Sequence, residues 1–444
     1  MQYVRFAMVV ILAVILGRAP AATAGPAGDC HIAAYRLNDG SVVDIGPSEG
    51  PELRWRRFDG TTGALRATAG GSWTSSLGWT DRPDGKTVAF SDCAAGQIQF
   101  DQRPGKRVEF DVTETVFSGR GVKLAGRLVL PRGNARVPIV VLVHGSESTS
   151  ARVFYPLQRL LPAEGVGVFV YDKRGTGDST GTRTFDFSVL ADDAVAALAE
   201  ARRLASPRAG RTGYLGTSQG GWVAPLAASR AAVDFVVVGY GLAVSPIEED
   251  REEIELEMKL KGHGPAVIAK ALEVATAGQA VAISGFTDGF ARFDEVRARY
   301  RGEPWYNDLR GNLTRFLLPS TEPQLRELAK VFGQDASLQY DAMPVLRALK
   351  APQLWVLGED DLDAPSAETS RRLKALAVQG RPIALALFPH ADHGILEYEI
   401  ASSGARVETR YANGYYAMLR DYIRDGRLSG SYGASKITRP PAAR

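Results

Sequence analysis

The pentapeptide Gly216-Thr217-Ser218-Gln219-Gly220 sets a hydroxyl between two glycines, directly after an apolar strand-like run and directly before small residues of helical character. A strand that turns sharply into a helix needs that spacing, because a side chain at either glycine would collide with the adjoining strand or helix. The serine at such an elbow holds a strained backbone, so Ser218 is the candidate nucleophile. A serine hydroxyl attacks only when a base takes its proton, and a carboxylate normally orients that base. The chain has five histidines. His31 falls in a β-rich stretch, His263 in a helical stretch and His144 ahead of the first helix. His390 and His393 lie beyond the last apolar strand. His393 precedes Gly394 in a loop from which an imidazole reaches over the strand ends, so it is the candidate base. His390, next to Pro389, is read as structural or substrate-facing. The run Gly358-Glu359-Asp360-Asp361-Leu362-Asp363 supplies four carboxylates at the end of the preceding strand. Spacing alone does not choose among them.

These residues need a scaffold that gathers strand ends on one rim. From residue 122 onward, apolar runs such as Pro138-Ile139-Val140-Val141-Leu142-Val143 and Val166-Gly167-Val168-Phe169-Val170-Tyr171 alternate with helical stretches. Helices are expected over 152–164 and over 188–204, the second with Ser188 as N-cap. Continuous apolar strands between helices indicate a mainly parallel sheet buried on both faces. The alternation stops over 246–349, where a stretch rich in Glu, Lys, Arg, Ala and Leu reads as a helical cap inserted into the sheet. Its run Glu248-Glu249-Asp250-Arg251-Glu252-Glu253 reads as a solvated helix face. Trp305, Tyr306, Phe316 and Leu317 either line a substrate pocket or pack the cap on the core. Residues 25–115 show short β-rich pieces with Gly and Asp turns, an all-β accessory unit. The expected order is therefore a signal peptide (1–24), the β unit (25–115), the two parts of the core (116–245 and 350–426) around the cap (246–349), and a flexible tail (427–444).

Apolar content of 45% with 23% charged residues is that of a globular chain. The 53 basic and 50 acidic residues nearly balance, which gives no reason to expect nucleic acid or an anionic membrane as partner. Arg5, an apolar stretch over 6–16 and Ala22-Thr23-Ala24 before Gly25 form the pattern of a secretory signal peptide. The apolar run is shorter than the roughly 20 residues a bilayer span requires. The expected location is secreted or periplasmic, without a stable membrane anchor after cleavage. Asp29 ahead of Cys30 breaks the small-residue pattern of a lipoprotein site. Cys30 and Cys93 are the two cysteines, and in an oxidising compartment they are expected to form one disulfide.

Four motifs in order resemble the α/β-hydrolase superfamily over about residues 115–426. They are His144-Gly145-Ser146, Tyr171-Asp172-Lys173-Arg174-Gly175-Thr176-Gly177-Asp178-Ser179, the elbow at 216–220, and Gly358-Glu359-Asp360-Asp361 with Pro365. The resemblance implies an α/β-hydrolase fold with a mainly parallel central sheet, a helical cap insertion and a small N-terminal all-β unit. It also implies that Asp361 is the acid, with Asp360 and Asp363 as the other candidates. By the same resemblance the backbone N–H groups of Ser146 and Gln219 form the oxyanion hole. The implied activity is a serine hydrolase that cleaves carboxylic esters of small-molecule or short acyl or peptidyl substrates through an acyl-enzyme. Activity is expected to fall below about pH 6.5 as the imidazole protonates.

No cofactor and no metal is implied. His390-Ala391-Asp392-His393 lacks the further histidines a zinc site needs, and the glycines after Tyr171 miss the dinucleotide spacing by one residue. A serine peptidase is the second reading, because prolyl oligopeptidases and prolyl aminopeptidases resemble this core. A propeller needs far more chain than the β unit offers, whereas the aminopeptidase type also carries a helical cap. The third reading, a binding protein that has lost catalysis, conflicts with the presence of all three triad side chains.

Overall fold

A computed structural model describes residues 30–440, except 49 and 333–335. The expected signal peptide, 1–24, lies outside the described residues. Eight strands come first: β1 (Ala33–Leu37), β2 (Val42–Pro47), β3 (Leu53–Arg57), β4 (Thr62–Ala67), β5 (Trp73–Leu77), β6 (Pro83–Phe90), β7 (Gln97–Phe100) and β8 (Arg103–Arg107). Each pairs with the next and β8 closes on β1, which makes a barrel without free edges. Tyr35, Ile45, Leu53, Trp55 and Phe100 fill its interior, and the Trp55 indole N–H donates to Ser75 Oγ at 2.7 Å. The Cys30–Cys93 disulfide ties the chain ahead of β1 to the β6–β7 turn. Closing a loop of that length is worth up to about 4 kcal/mol.

The second sheet contains β9 (Phe110–Ser118), β10 (Lys123–Pro131), β11 (Val137–Val143), β12 (Gly167–Tyr171), β13 (Ala209–Thr217), β14 (Phe235–Gly239), β15 (Gln353–Gly358), β16 (Ile383–Phe388) and, after a separate three-stranded sheet, β20 (Lys436–Thr438). The strand order is β20-β16-β15-β14-β13-β11-β12-β10-β9, parallel from β12 through β16. Side chains alternate across each strand. Ile139, Val141 and Val143 face one core with α3 (Phe187–Ala205), α4 (Gly220–Arg230) and α11 (Ser366–Val378), while Val140 and Leu142 face the other with α12 (Tyr415–Asp425). Both faces are covered, which accounts for the unbroken apolar runs.

Several elements depart from the sequence expectations. The helix expected over 152–164 is broken into α1 (Ala151–Phe154), α2 (Leu157–Leu160) and a short 3₁₀ turn, Pro162–Glu164. Pro156 and Pro162 remove backbone donors, and Tyr155 ahead of Pro156 is extended. Asp186, not Ser188, caps α3 and accepts from Ser188 N at 2.8 Å and Val189 N at 3.2 Å. β9 begins at Phe110 and pairs along its whole length with β10, so the large sheet takes its first strand from residues expected in the β unit. The tail expected to be flexible carries β20, whose Lys436–Thr438 pair antiparallel with Leu385–Leu387.

The cap lies between β14 and β15. It consists of α5 (Pro246–Leu260), α6 (Pro265–Ile283), α7 (Phe290–Tyr300), α8 (Thr314–Leu317) and α9 (Glu322–Phe332), and α10 (Met343–Ala348) leads back to the sheet. Ser245 and Glu248 form a reciprocal capping box at the start of α5. The acidic run that follows is not a solvated face. Asp250 is fully buried and accepts from Leu313 N, Thr314 N and Oγ1, and Gln279 Nε2 at 2.6–2.8 Å, which joins α5, α6 and α8. Glu253 is also buried. Among the described residues α6 alone is long and apolar enough to cross a bilayer, and half of its apolar window is buried in the cap.

The three-stranded sheet comprises β17 (Ala391–Asp392), β18 (Leu396–Ile400) and β19 (Arg406–Tyr411). The barrel docks on it: Tyr411 N donates to Gly60 O and Trp79 N to Glu408 O, both at 2.9 Å. A Cβ on Gly60 would overlap the Tyr411 carbonyl, so only glycine allows this approach. Elsewhere on the barrel, buried Asp44 pairs with Arg159 of α2 and with Arg56. Removing one member of such a buried pair typically costs about 3–5 kcal/mol.

Candidate active site

Ser218 stands between β13 and α4 with φ of 51°. This left-handed conformation costs a non-glycine residue about 1–3 kcal/mol. Glycine is required on both sides: a Cβ on Gly216 would overlap the Gly220 carbonyl, and one on Gly220 would overlap the Val143 carbonyl of the neighbouring strand. The strain is held by Ser218 N donating to Gly239 O at 3.1 Å and Gly221 N to Ser218 O at 2.7 Å.

His393 follows β17 and reaches back over the strand ends. Its Nε2 lies 3.1 Å from Ser218 Oγ, and its Nδ1 lies 3.0 and 3.2 Å from the two Asp361 oxygens. Three residues distant in sequence thus form one unbroken line of hydrogen bonds. The Tyr240 ring stands edge-on to the imidazole at 4.9 Å between centroids. Asp361 is buried, and its Oδ1 also accepts from Ala364 N at 2.7 Å. The other carboxylates of that loop go elsewhere. Asp360 takes the Tyr398 hydroxyl at 2.8 Å, and Asp363 borders the cavity in front of Ser218. The Asp392 carboxylate accepts from the backbone of Leu362 and His393 and from Arg406, so it locks the acid loop to the histidine loop.

Burial pulls the His393 imidazole toward its neutral form, but the charges of Asp361, Asp363 and Asp392 outweigh it and hold the group above the ordinary imidazole range. For Asp361, burial works upward against the attraction of His393, with a net upward shift. An imidazole between a hydroxyl and a buried carboxylate can accept the hydroxyl proton and have its new charge stabilised.

The remaining histidines are occupied differently. His31 stacks on Phe90 in the barrel, and His263 bonds Asp308 in the cap at 2.8 Å. His390 is almost fully exposed beside Asp360. His144 is buried, accepts from Lys173 N at 3.3 Å, and is held below its ordinary range by burial and by the Lys173 charge.

Ser146 and Gln219 border the same cavity as Ser218 and His393, and Gln219 stands at the N-terminus of α4, where backbone N–H groups favour negative charge. Beneath them lies a network that the sequence reading did not single out. The buried Lys173 Nζ donates to the Gly145 carbonyl and, at 2.9 Å, to Gln219 Oε1. Arg183 Nη2 donates to the Ser146 carbonyl at 2.8 Å, and the Tyr155 hydroxyl bridges Glu147 and Gly145 N. The only sequence signal for Lys173 is its place in the turn after β12.

The cavity measures about 90 Å³. Phe185, Phe187, Trp222, Leu313, Phe332 and Leu338 make it largely apolar, while Glu249, Asn312 and Asp363 supply polar groups. Burial, together with the nearby Asp250, Asp363 and Asp361 charges, raises the Glu249 carboxyl well above its ordinary range against the opposing pull of His393. Trp305, Tyr306, Phe316 and Leu317 are not among its described lining residues. Trp305 and Leu317 are buried in the cap's own core with Tyr306 packed against it, and Phe316 lies under the Arg315 guanidinium.

A family model described as "Alpha/beta hydrolase family" matches residues 140–406. Among solved structures, the chain is similar to the acylaminoacyl peptidase of Pyrococcus horikoshii at 14% identity and TM-score 0.43, covering 86% of this chain and 56% of that one. It is similar to an esterase of Pyrococcus furiosus at 16% identity and TM-score 0.41, covering 64% of this chain and 84% of that one. A third similarity is to a thermophilic esterase of Thermogutta terrifontis, at 19% identity and TM-score 0.35, with 63% of this chain and 91% of that one covered. The chain therefore spans little more than half of the peptidase's length, and these likenesses concern the fold alone. A search of curated proteins finds no match.

Proposed function

We propose that this chain, which belongs to the alpha/beta hydrolase family, is an exported serine hydrolase that cleaves carboxylic esters with Ser218 as nucleophile, His393 as base and Asp361 as its orienting acid. It is a hydrolase of that family. The observation that supports the finer reading is the hydrogen-bonded line from Ser218 Oγ through His393 to Asp361. In the proposed reaction Ser218 Oγ attacks the ester carbonyl as its proton passes to His393 Nε2. The tetrahedral oxyanion lies against the N–H groups of Ser146 and Gln219. His393 returns the proton to the departing alkoxide, which leaves an acyl-enzyme. Water then gives a proton to His393 as it attacks the acyl carbon, and His393 passes that proton to Ser218 Oγ as the acyl bond breaks and the acid is released. Loss of one preorganised oxyanion donor typically costs about 3–4 kcal/mol. Export is supported by the Cys30–Cys93 disulfide, since such bonds persist in oxidising compartments.

A second reading, a peptidase that takes a free N-terminal amine, draws on Glu249 and Asp363 at the cavity wall. An ammonium beside the scissile carbonyl would meet the carboxyl groups of both there. Labelling with a fluorophosphonate, followed by rates on short p-nitrophenyl esters and on aminoacyl p-nitroanilides, tests both. Labelling together with turnover dominated by the esters is the expected result. An unlabelled protein sinks the serine reading, and faster amide turnover replaces the first reading by the second.

The pH profile carries a further expected outcome. The base must be neutral to act, and the neighbouring carboxylates raise the imidazole. Activity is therefore lost at low pH and recovers as pH rises through a midpoint above the unperturbed value of about 6.5, higher than the sequence alone suggested. A kcat/KM profile from pH 5 to 9 measures it, and a midpoint at or below 6.5 contradicts the raised imidazole.

A further inference from the structure

The cations beneath the oxyanion loop point to a role in setting the donors, an inference that rests on the reading above. In a trans peptide the C=O and N–H point in opposite directions. The Gly145 carbonyl is held by Lys173 Nζ, so the N–H of the same peptide, that of Ser146, is aimed away from the lysine. The next carbonyl, that of Ser146, is held by Arg183 Nη2 at 2.8 Å. Two successive peptides of the loop after β11 are thereby fixed by cations of a single segment, the turn between β12 and α3. The same ammonium also grips Gln219 Oε1 at 2.9 Å, and the Gln219 backbone opens α4. One charged group therefore spans the two elements that would each supply an N–H.

Holding this lysine here costs desolvation. Both acceptors of its Nζ are uncharged groups, the residue is only 8% exposed, and burial holds the ammonium below the ordinary lysine range against the pull of the nearby Glu147 charge. Lys173→Met would leave both acceptors and the nearby Glu147 charge without their cation, a cost in stability that a melting temperature reads separately from turnover. Without the tether, the Gly145–Ser146 peptide can rotate its N–H out of line with that of Gln219.

We propose that Lys173 and Arg183 are positioning residues, which fix the Ser146 and Gln219 N–H groups where the oxyanion forms. Contacts realised only in the transition state affect kcat and leave substrate binding alone. Lys173→Met is therefore expected to lower kcat for a p-nitrophenyl ester on the order of 10- to 100-fold with KM within threefold, a fraction of the loss of a whole donor. Arg183→Met, at a partly exposed position, is expected to lower kcat at least threefold with KM similarly unchanged. A trifluoromethyl ketone, whose adduct with the serine places an oxyanion against both donors, should bind each variant more weakly in proportion to its kcat. The melting temperature is recorded alongside. If Lys173→Met does not fold, Arg183→Met decides: a kcat loss smaller than threefold, or equal losses in kcat and ketone-independent substrate binding, overturns the proposal. A wild-type protein without esterase activity sinks the earlier functional reading instead, so the two failures are distinct.

Discussion

Ser218→Ala is expected to reduce turnover of a short p-nitrophenyl ester on the order of 10⁵- to 10⁶-fold, about 7–8 kcal/mol of transition-state stabilisation, while the protein stays folded. The loss is large because Ala has no oxygen with which to form the acyl bond, and what remains is the assistance of the N–H donors to direct attack by water. The fold should survive because alanine keeps the side-chain volume nearly constant. The left-handed backbone at this position is imposed by its neighbours, through Gly239 O and Gly221 N, and not by the hydroxyl. Kinetics on acyl esters, a fluorophosphonate label and a thermal melt on the same preparation check the outcome. Turnover within tenfold of wild type would remove Ser218 from the mechanism.

Asp361→Asn is expected to lower kcat on the order of 10⁴-fold. The asparagine carbonyl oxygen would keep the bond from Ala364 N, now made to Asp361 Oδ1 at 2.7 Å, and this turns the amide NH₂ toward His393 Nδ1. That nitrogen must then accept, so the ring proton moves to Nε2 and the imidazole presents an N–H to Ser218 where a lone pair is required. Loss of the carboxylate charge also moves the acid limb of the pH profile downward, because this charge is the strongest of those raising the imidazole. Asp360→Asn serves as the control. Its carboxylate takes the Tyr398 hydroxyl, and a rate within about threefold of wild type is expected. Equal losses in the two variants would remove the distinction between adjacent aspartates.

That distinction marks a limit of the sequence. The elbow is legible because two glycines at fixed offsets from a serine answer a local steric demand, and the sheet is legible because its strands are apolar on both faces. Which of the carboxylates after Gly358 meets His393 depends on the path of a loop whose course is set by distant partners. Asp392 binds Leu362 N, and Arg406 reaches the Asp360 carbonyl. The resemblance to a family, not the spacing, singled out Asp361. The cavity wall was illegible for a related reason: Phe185, Trp222, Leu313 and Phe332 come from four separate segments. Apolar character marks that a residue is buried, not which surface it helps to bury, so Trp305 and Leu317 gave the same signal from inside the cap. The acidic run at 248–253 misled because charged residues are usually solvated, and nothing local announces that Asp250 serves the backbone of residues 313 and 314. The tail was short of apolar residues, yet an edge strand of three residues needs mainly backbone pairing.

The barrel's seat has a consequence for engineering. It rests on β19, which pairs through β18 with β17, and β17 ends one residue ahead of the imidazole. The joint between the two units is thus built into the support of His393 itself. Swapping the barrel for another module, or trimming it to obtain a minimal enzyme, would leave the serine elbow untouched and let the histidine drift. The resulting fault would show in turnover rather than in substrate affinity.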